Sequence, residues 1–99
     1  METPQPKPFS REFFQALVKQ YEDSKVEKAL SYARQHCMAN AKIGLTSCTI
    51  YCRNHEWWLS KAQVEELVSK LREEFIGVDI ELMESTDPKF IYEYVRLTW

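Results

Sequence analysis

Phe90-Ile91-Tyr92-Glu93-Tyr94-Val95-Arg96-Leu97-Thr98-Trp99 decides the fold. The stretch is rich in aromatic and β-branched residues and has no Gly or Pro, the composition a pleated surface favours. Its side chains alternate. Ile91, Val95, Leu97 and Trp99 fall on one face; Tyr92, Tyr94, Arg96 and Thr98 fall on the other. Glu93 interrupts the apolar face. Trp99 is expected to be packed, because an exposed Trp leaves a large apolar area in water.

The chain around this strand is 99 residues long, the size of one domain. Apolar residues make up 44% and aromatic residues 13%, enough to build a core and to argue against general disorder. The formal net charge is −2, which opposes a protein built to hold nucleic acid or anionic membrane by charge. No apolar run approaches the roughly 20 residues a membrane span needs. No basic-then-apolar signal sequence opens the chain. Cys37, Cys48 and Cys52 are an odd set without a disulfide framework, so reduced thiols and an intracellular setting are expected. Two glycines, Gly44 and Gly77, cannot make a glycine-rich phosphate loop.

From the start of the chain, residues 1–9 read as a Pro-rich arm and residues 10–99 as a single domain. Three prolines at alternate positions oppose a helix. Ser10 can cap a first helix carrying Phe13, Phe14, Leu17, Val18 and Tyr21. Ser24 with Glu27 resembles a capping box, so a second helix is expected there, with Val26, Leu30, Ala33, Cys37 and Ala41 as its stripe and Gly44 as its stop. One kinked helix over 10–42 is the alternative. Leu45–Arg53 alternates as a first strand with Cys48, Ile50 and Cys52 inward. Asn54 to Trp58 reads as a loop.

Ser60 and Gln63 form a capping box, with Leu59 and Val64 as its hydrophobic staple. Val64, Leu67, Val68, Leu71 and Phe75 make the buried stripe of the helix this box starts, and Gly77 ends it. Val78 to Met83 is the second strand. The short Ser85–Lys89 turn implies an antiparallel hairpin into the last strand.

These elements predict an α+β, two-layer, split β-α-β fold. Its three-stranded mixed sheet has the order first, third, second, with N-terminal helices and a second helix on one face. The other face is left uncovered. It is expected to carry Ser47, Thr49, Tyr51 and Arg53, then Tyr92, Tyr94, Arg96 and Thr98, with Asp79, Glu81 and Met83 at the far edge.

Three readings compete for that face. It can be an ordinary solvated sheet surface on which tyrosines pair across strands. It can be a protein-binding surface, for partner or self-association, because Tyr and Arg are enriched at interfaces. Trp57 and Trp58 join it under this reading, one packed beneath the sheet and the other an exposed anchor. It can also stack single-stranded nucleic acid, although Asp79 and Glu81 oppose this. The binding set is therefore Tyr51, Arg53, Trp57, Trp58, Tyr92, Tyr94 and Arg96.

Metal and catalytic readings are weaker. Cys48, Cys52 and His55, with His36 or Cys37, suggest zinc. Yet residues four apart on a strand lie roughly 13 Å apart at about 3.3 Å per residue, against a zinc–sulfur bond of about 2.3 Å. Buried thiols acting as small apolar groups fit better. His36 and Cys37 point about 100° apart on a helix, so they are no nucleophile–base pair. No cofactor and no enzyme activity are expected.

The Ala41-Lys42-x-Gly44 turn, the Thr46/Ser47/Thr49 strand, the capped helix with Leu67, Leu71 and Gly77, and the strand from Tyr94 to Trp99 form one pattern. Over roughly residues 26–99 it resembles small uncharacterised α+β proteins of large double-stranded DNA viruses and tailed phages. The resemblance implies a viral, non-enzymatic protein, a virion or assembly component, and no catalytic residues. The Trp57-Trp58 segment and the Pro-rich arm lie outside the pattern.

Overall fold

The computed structural model describes residues 9–99. The expectations for residues 1–8 of the arm lie outside the described residues. The elements in order are α1 (Arg11–Lys42), β1 (Ser47–Tyr51), β2 (Arg53–Asn54), β3 (Trp57–Trp58), α2 (Lys61–Glu74), β4 (Asp79–Glu84) and β5 (Tyr92–Thr98). The fold is α+β, with two helices, a three-stranded antiparallel sheet and a separate two-stranded ribbon of β2 and β3.

The strand the sequence singles out, β5, lies between β1 and β4. These three follow the order first, third, second, and the arrangement differs in detail because a separate two-stranded ribbon also forms. Five strands form instead of three, and the sheet order in their own numbering is β1-β5-β4. Nor is the sheet mixed. β5 runs antiparallel to both neighbours, so β1 and β4 share a direction but never touch as a parallel pair. The expected first strand, Leu45–Arg53, stops pairing with β5 at Tyr51, and its continuation pairs locally with Trp57–Trp58. The segment expected to be a loop is thus a hairpin.

The N-terminal helices are one helix of 32 residues. Ser10 caps it, accepting from the Phe13 amide at 3.2 Å. Ser24 does not start a second helix: its hydroxyl donates to the Tyr21 carbonyl at 2.7 Å. This back-bonding satisfies a mid-helix serine without breaking the ladder. No Gly or Pro lies between Glu22 and Lys25 to stop the helix. What changes there is the apolar stripe. At about 100° per residue, Phe13, Phe14, Leu17, Val18 and Tyr21 centre on a direction roughly 140° from that of Val26, Ala29, Leu30, Ala33 and Cys37. Only the second stripe is buried.

α2 obeys its sequence signals. Both halves of the Ser60–Gln63 capping box form, and Val64, Leu67, Val68 and Leu71 are buried. Gly44 and Gly77 take positive φ, +84° and +77°, where a Cβ would be strained. The core joins these helix stripes to Cys48, Ile50, Val95 and Leu97 on one sheet face, with Cys52, Trp57 and Leu59 closing its end. Lys70 of α2 reaches Glu27 of α1 at 2.9 Å, and Arg34 reaches Glu74 at 2.8 Å, so ion pairs rim the helix–helix seam.

Two expectations for β5 fail at its ends. Ile91 is exposed although its carbonyl accepts from the Ser85 amide at 2.9 Å, because the register shift between Met83 and Glu84 reverses the alternation before it. Trp99 keeps 38% of its surface open, although its amide is held by the Thr46 carbonyl at 2.9 Å.

Candidate functional site

The register builds the uncovered face row by row. Ser47, Thr98 and Asp79 form one row, Thr49, Arg96 and Glu81 the next, and Tyr51, Tyr94 and Met83 the third. Rows on a sheet face repeat every second residue, which leaves Cys48, Ile50, Val95 and Leu97 for the core side. The Tyr51 and Tyr94 rings meet edge-to-face with centroids 6.0 Å apart. The Arg96 guanidinium lies 5.3 Å from the Tyr94 ring. Tyr51 and Arg96 are exposed and Tyr94 is half-buried.

Tyr92 is not on this face. The register shifts between Met83 and Glu84: Met83 pairs with Tyr94 but Glu84 pairs with Tyr92, so Glu93 is the extra residue of a β-bulge. The bulge reverses the alternation. It turns Tyr92 toward α2, where its ring packs on the core and its hydroxyl donates to Glu65 at 3.4 Å. It also accounts for the charge that interrupts the apolar face, since Glu93 need not enter the core. The Glu93 carbonyl accepts from the Cys52 amide at 2.9 Å, tying the ribbon to the sheet.

The two adjacent tryptophans divide. Trp57 is core, 1% exposed, with its indole N–H donating to the Tyr51 carbonyl at 3.0 Å and its ring edge-on to Tyr32 at 5.2 Å. Trp58 is 54% exposed and meets Phe90 at 5.6 Å. The Arg53 guanidinium lies over the Phe90 ring at 4.1 Å. Tyr51, Arg53, Trp58 and Glu93 line a shallow cleft of about 350 Å³, which joins this cluster to the tyrosine row. The structure thus brings together Tyr51, Arg53, Trp58, Tyr94 and Arg96. It sets Trp57 and Tyr92 apart.

Phe90 belongs to the cluster, although the sequence pattern does not point to it. The pattern sets Phe90 at the head of one strand and its partner Arg53 at the end of another. Behind the cluster a groove of about 420 Å³ includes Lys25, Lys61, Lys89 and Glu22 in its wall. Lys25 is buried at 8% exposure, yet its ammonium donates to Glu22 at 3.1 Å and to the Trp58 carbonyl at 3.2 Å. Hydrogen bonds from Lys25 and then Gln63 hold the Glu22 carboxyl below its ordinary pKa. Lys25 therefore serves the structure first.

Burial pushes the Cys37 thiol up to about 12 and the Cys52 thiol up to about 11, and raises Cys48 as well. None is a thiolate near neutrality, so none is set up as a nucleophile or soft metal ligand. His36 stacks on Tyr32 at 3.8 Å, and His55 is exposed beside Glu56. Among the described residues no group of three or more His, Cys, Asp or Glu is placed to hold a metal ion. No described helix is long and apolar enough to cross a membrane. Comparison with protein-family models, with curated proteins and with solved structures gives no match, so any functional reading rests on the geometry of the chain itself.

Proposed function

We propose that this chain is a non-enzymatic protein-interaction module that binds a partner protein through its Tyr/Arg-rich sheet face. The supporting observation is the contiguous surface of Tyr94, Tyr51 and Trp58, with Arg96 against Tyr94 and Arg53 against the Phe90 ring that Trp58 meets. Aromatic and Arg side chains supply most hot-spot energy at interfaces. Held on paired strands and stacked on one another, these lose less freedom on binding than isolated side chains would. Asp79 and Glu81 on the same face select a partner with positive charge opposite them. The part of a viral accessory or assembly component rests on the resemblance alone.

Single-strand nucleic-acid binding is the competing use of the same aromatics. It needs a continuous cationic track, and the Glu81 carboxylate beside Arg96 in the same row interrupts one.

The test pairs the wild type with Tyr51→Thr/Tyr94→Thr, which keeps strand propensity while removing both rings. Immobilised wild type should retain a defined protein from extract that the double variant releases. Equal retention by both would remove the proposal. Tight binding of a mixed-sequence single-stranded oligonucleotide at low salt, lost in the variant, would transfer the face to nucleic acid.

A further inference from the structure

The first three turns of α1 carry an apolar surface that the domain cannot cover. Every buried residue of α1 lies at Lys25 or later. Before it, Phe9, Phe14, Leu17, Val18 and Tyr21 are 81, 49, 46, 61 and 53% exposed. At about 1.5 Å per residue α1 is about 48 Å long, most of the molecule's 56 Å long dimension. The exposed stripe is also turned by roughly 140° from the face that α1 buries. The sheet and α2 lie under that other face, so no closer packing of the same domain would cover it. Phe9, at φ +64°, meets Phe13 edge-to-face and Phe14 at a tilt, each with centroids 6.3 Å apart, which extends the patch.

We propose that this stripe is a self-association surface: the N-terminal half of α1 pairs antiparallel with the same segment of a second copy, about a two-fold axis near Leu17. The helix dipoles set the direction. An antiparallel pair opposes them, whereas a parallel pair sets like ends together.

The area agrees with a closed dimer. Taking about 200 Å² for a whole aromatic side chain, the stripe leaves roughly 500 Å² open per chain. Two copies would bury about 1,000 Å², at the lower bound of specific interfaces. The dimer is therefore concentration-dependent. This surface is separate from the tyrosine face, so the two readings stand or fall independently.

Sedimentation equilibrium under reducing conditions, over at least a hundredfold range of concentration, tests it. Wild type should pass from monomer to dimer, and Leu17→Glu should raise the dissociation midpoint at least tenfold. Far-UV circular dichroism should show the fold of Leu17→Glu intact, since Leu17 contributes nothing to the core. Val18→Glu, at the rim of the same stripe, should act in the same direction. Tyr51→Thr/Tyr94→Thr should dimerise like wild type. A wild type that stays monomeric throughout overturns the proposal. So does a dimer unaffected by Leu17→Glu and Val18→Glu, a dimer lost in the tyrosine variant instead, or an assembly larger than two.

Discussion

Replacing each adjacent tryptophan by phenylalanine separates core from surface in a single comparison. Trp57→Phe removes the indole N–H that the Tyr51 carbonyl accepts at 3.0 Å. Leaving that part-buried acceptor unpaired costs about 1–3 kcal/mol. The smaller ring also vacates roughly 40 Å³ at a site only 1% exposed, which adds about 1 kcal/mol at about 24 cal/mol per Å³. The expected loss is about 2–4 kcal/mol, a fall in Tm of roughly 10–25 °C for a domain of this size. Trp58→Phe keeps an aromatic ring against Phe90 at a position 54% exposed, so it should stay within about 0.5 kcal/mol of wild type. Urea unfolding monitored by far-UV circular dichroism measures both on one scale. A Trp57→Phe loss below about 1 kcal/mol, or an equal loss for Trp58→Phe, would refute the assignment of Trp57 to the core and Trp58 to the surface.

Two serines that look alike in sequence should differ. Ser60→Ala removes a formed capping box and should cost about 1 kcal/mol in urea unfolding, while Ser24→Ala, mid-helix, should be neutral or stabilising by up to about 0.5 kcal/mol. The three thiols should resist alkylation in the native state at pH 8 and react fully once unfolded, as mass spectrometry would show; fast native labelling would contradict their burial. Because folding raises the Cys37 and Cys52 pKa values from 9.0 to about 12 and about 11, the stability they contribute is complete below pH 9 and should be lost as pH rises from there. Glu22 has the opposite sign: its pKa is lowered from 4.5, so its contribution is present above that value and lost as pH falls below it, and Glu22→Gln should flatten this acid limb of the stability curve.

The parts of the fold legible in the sequence are those where local and tertiary signals agree. α2 has its cap, staple, stripe and terminal glycine in register, and the central strand has a run of β-formers long enough to show its period. Three features are not legible, each because a local rule is satisfied by a different cause. The Ser24–Glu27 spacing matches a capping box, but the stripe changes face there while the backbone continues. Glu93 looks like an error in an alternating strand, but it is the bulged residue that reverses the alternation. Arg53, Asn54, Trp57 and Trp58 pair over so few residues that no period can show. The candidate face inherits these gaps. Tyr51, Tyr94 and Arg96 sit on strands of regular period, so their spacing alone places them, while Tyr92 lies beyond the bulge and its spacing misleads. Phe90 joins the site through contacts with Arg53 and Trp58 that no spacing encodes.

The middle position of β5 has a consequence for the order of folding. β1 and β4 make no ladder with each other; each is bonded only to β5. During synthesis the chain can form α1, the ribbon and α2 while both strands wait without a partner. A chain lacking Tyr92–Thr98 would therefore hold helices and the ribbon but no three-stranded sheet, with Cys48, Ile50, Ile80 and Leu82 left without the strand that joins them. Closing the β1–β5 pair joins residues nearly half the chain apart, a loop whose entropy must be met before any ladder bond forms. The sheet then assembles around one late strand in a single step, and the interval before that step is when the nascent chain most needs a chaperone.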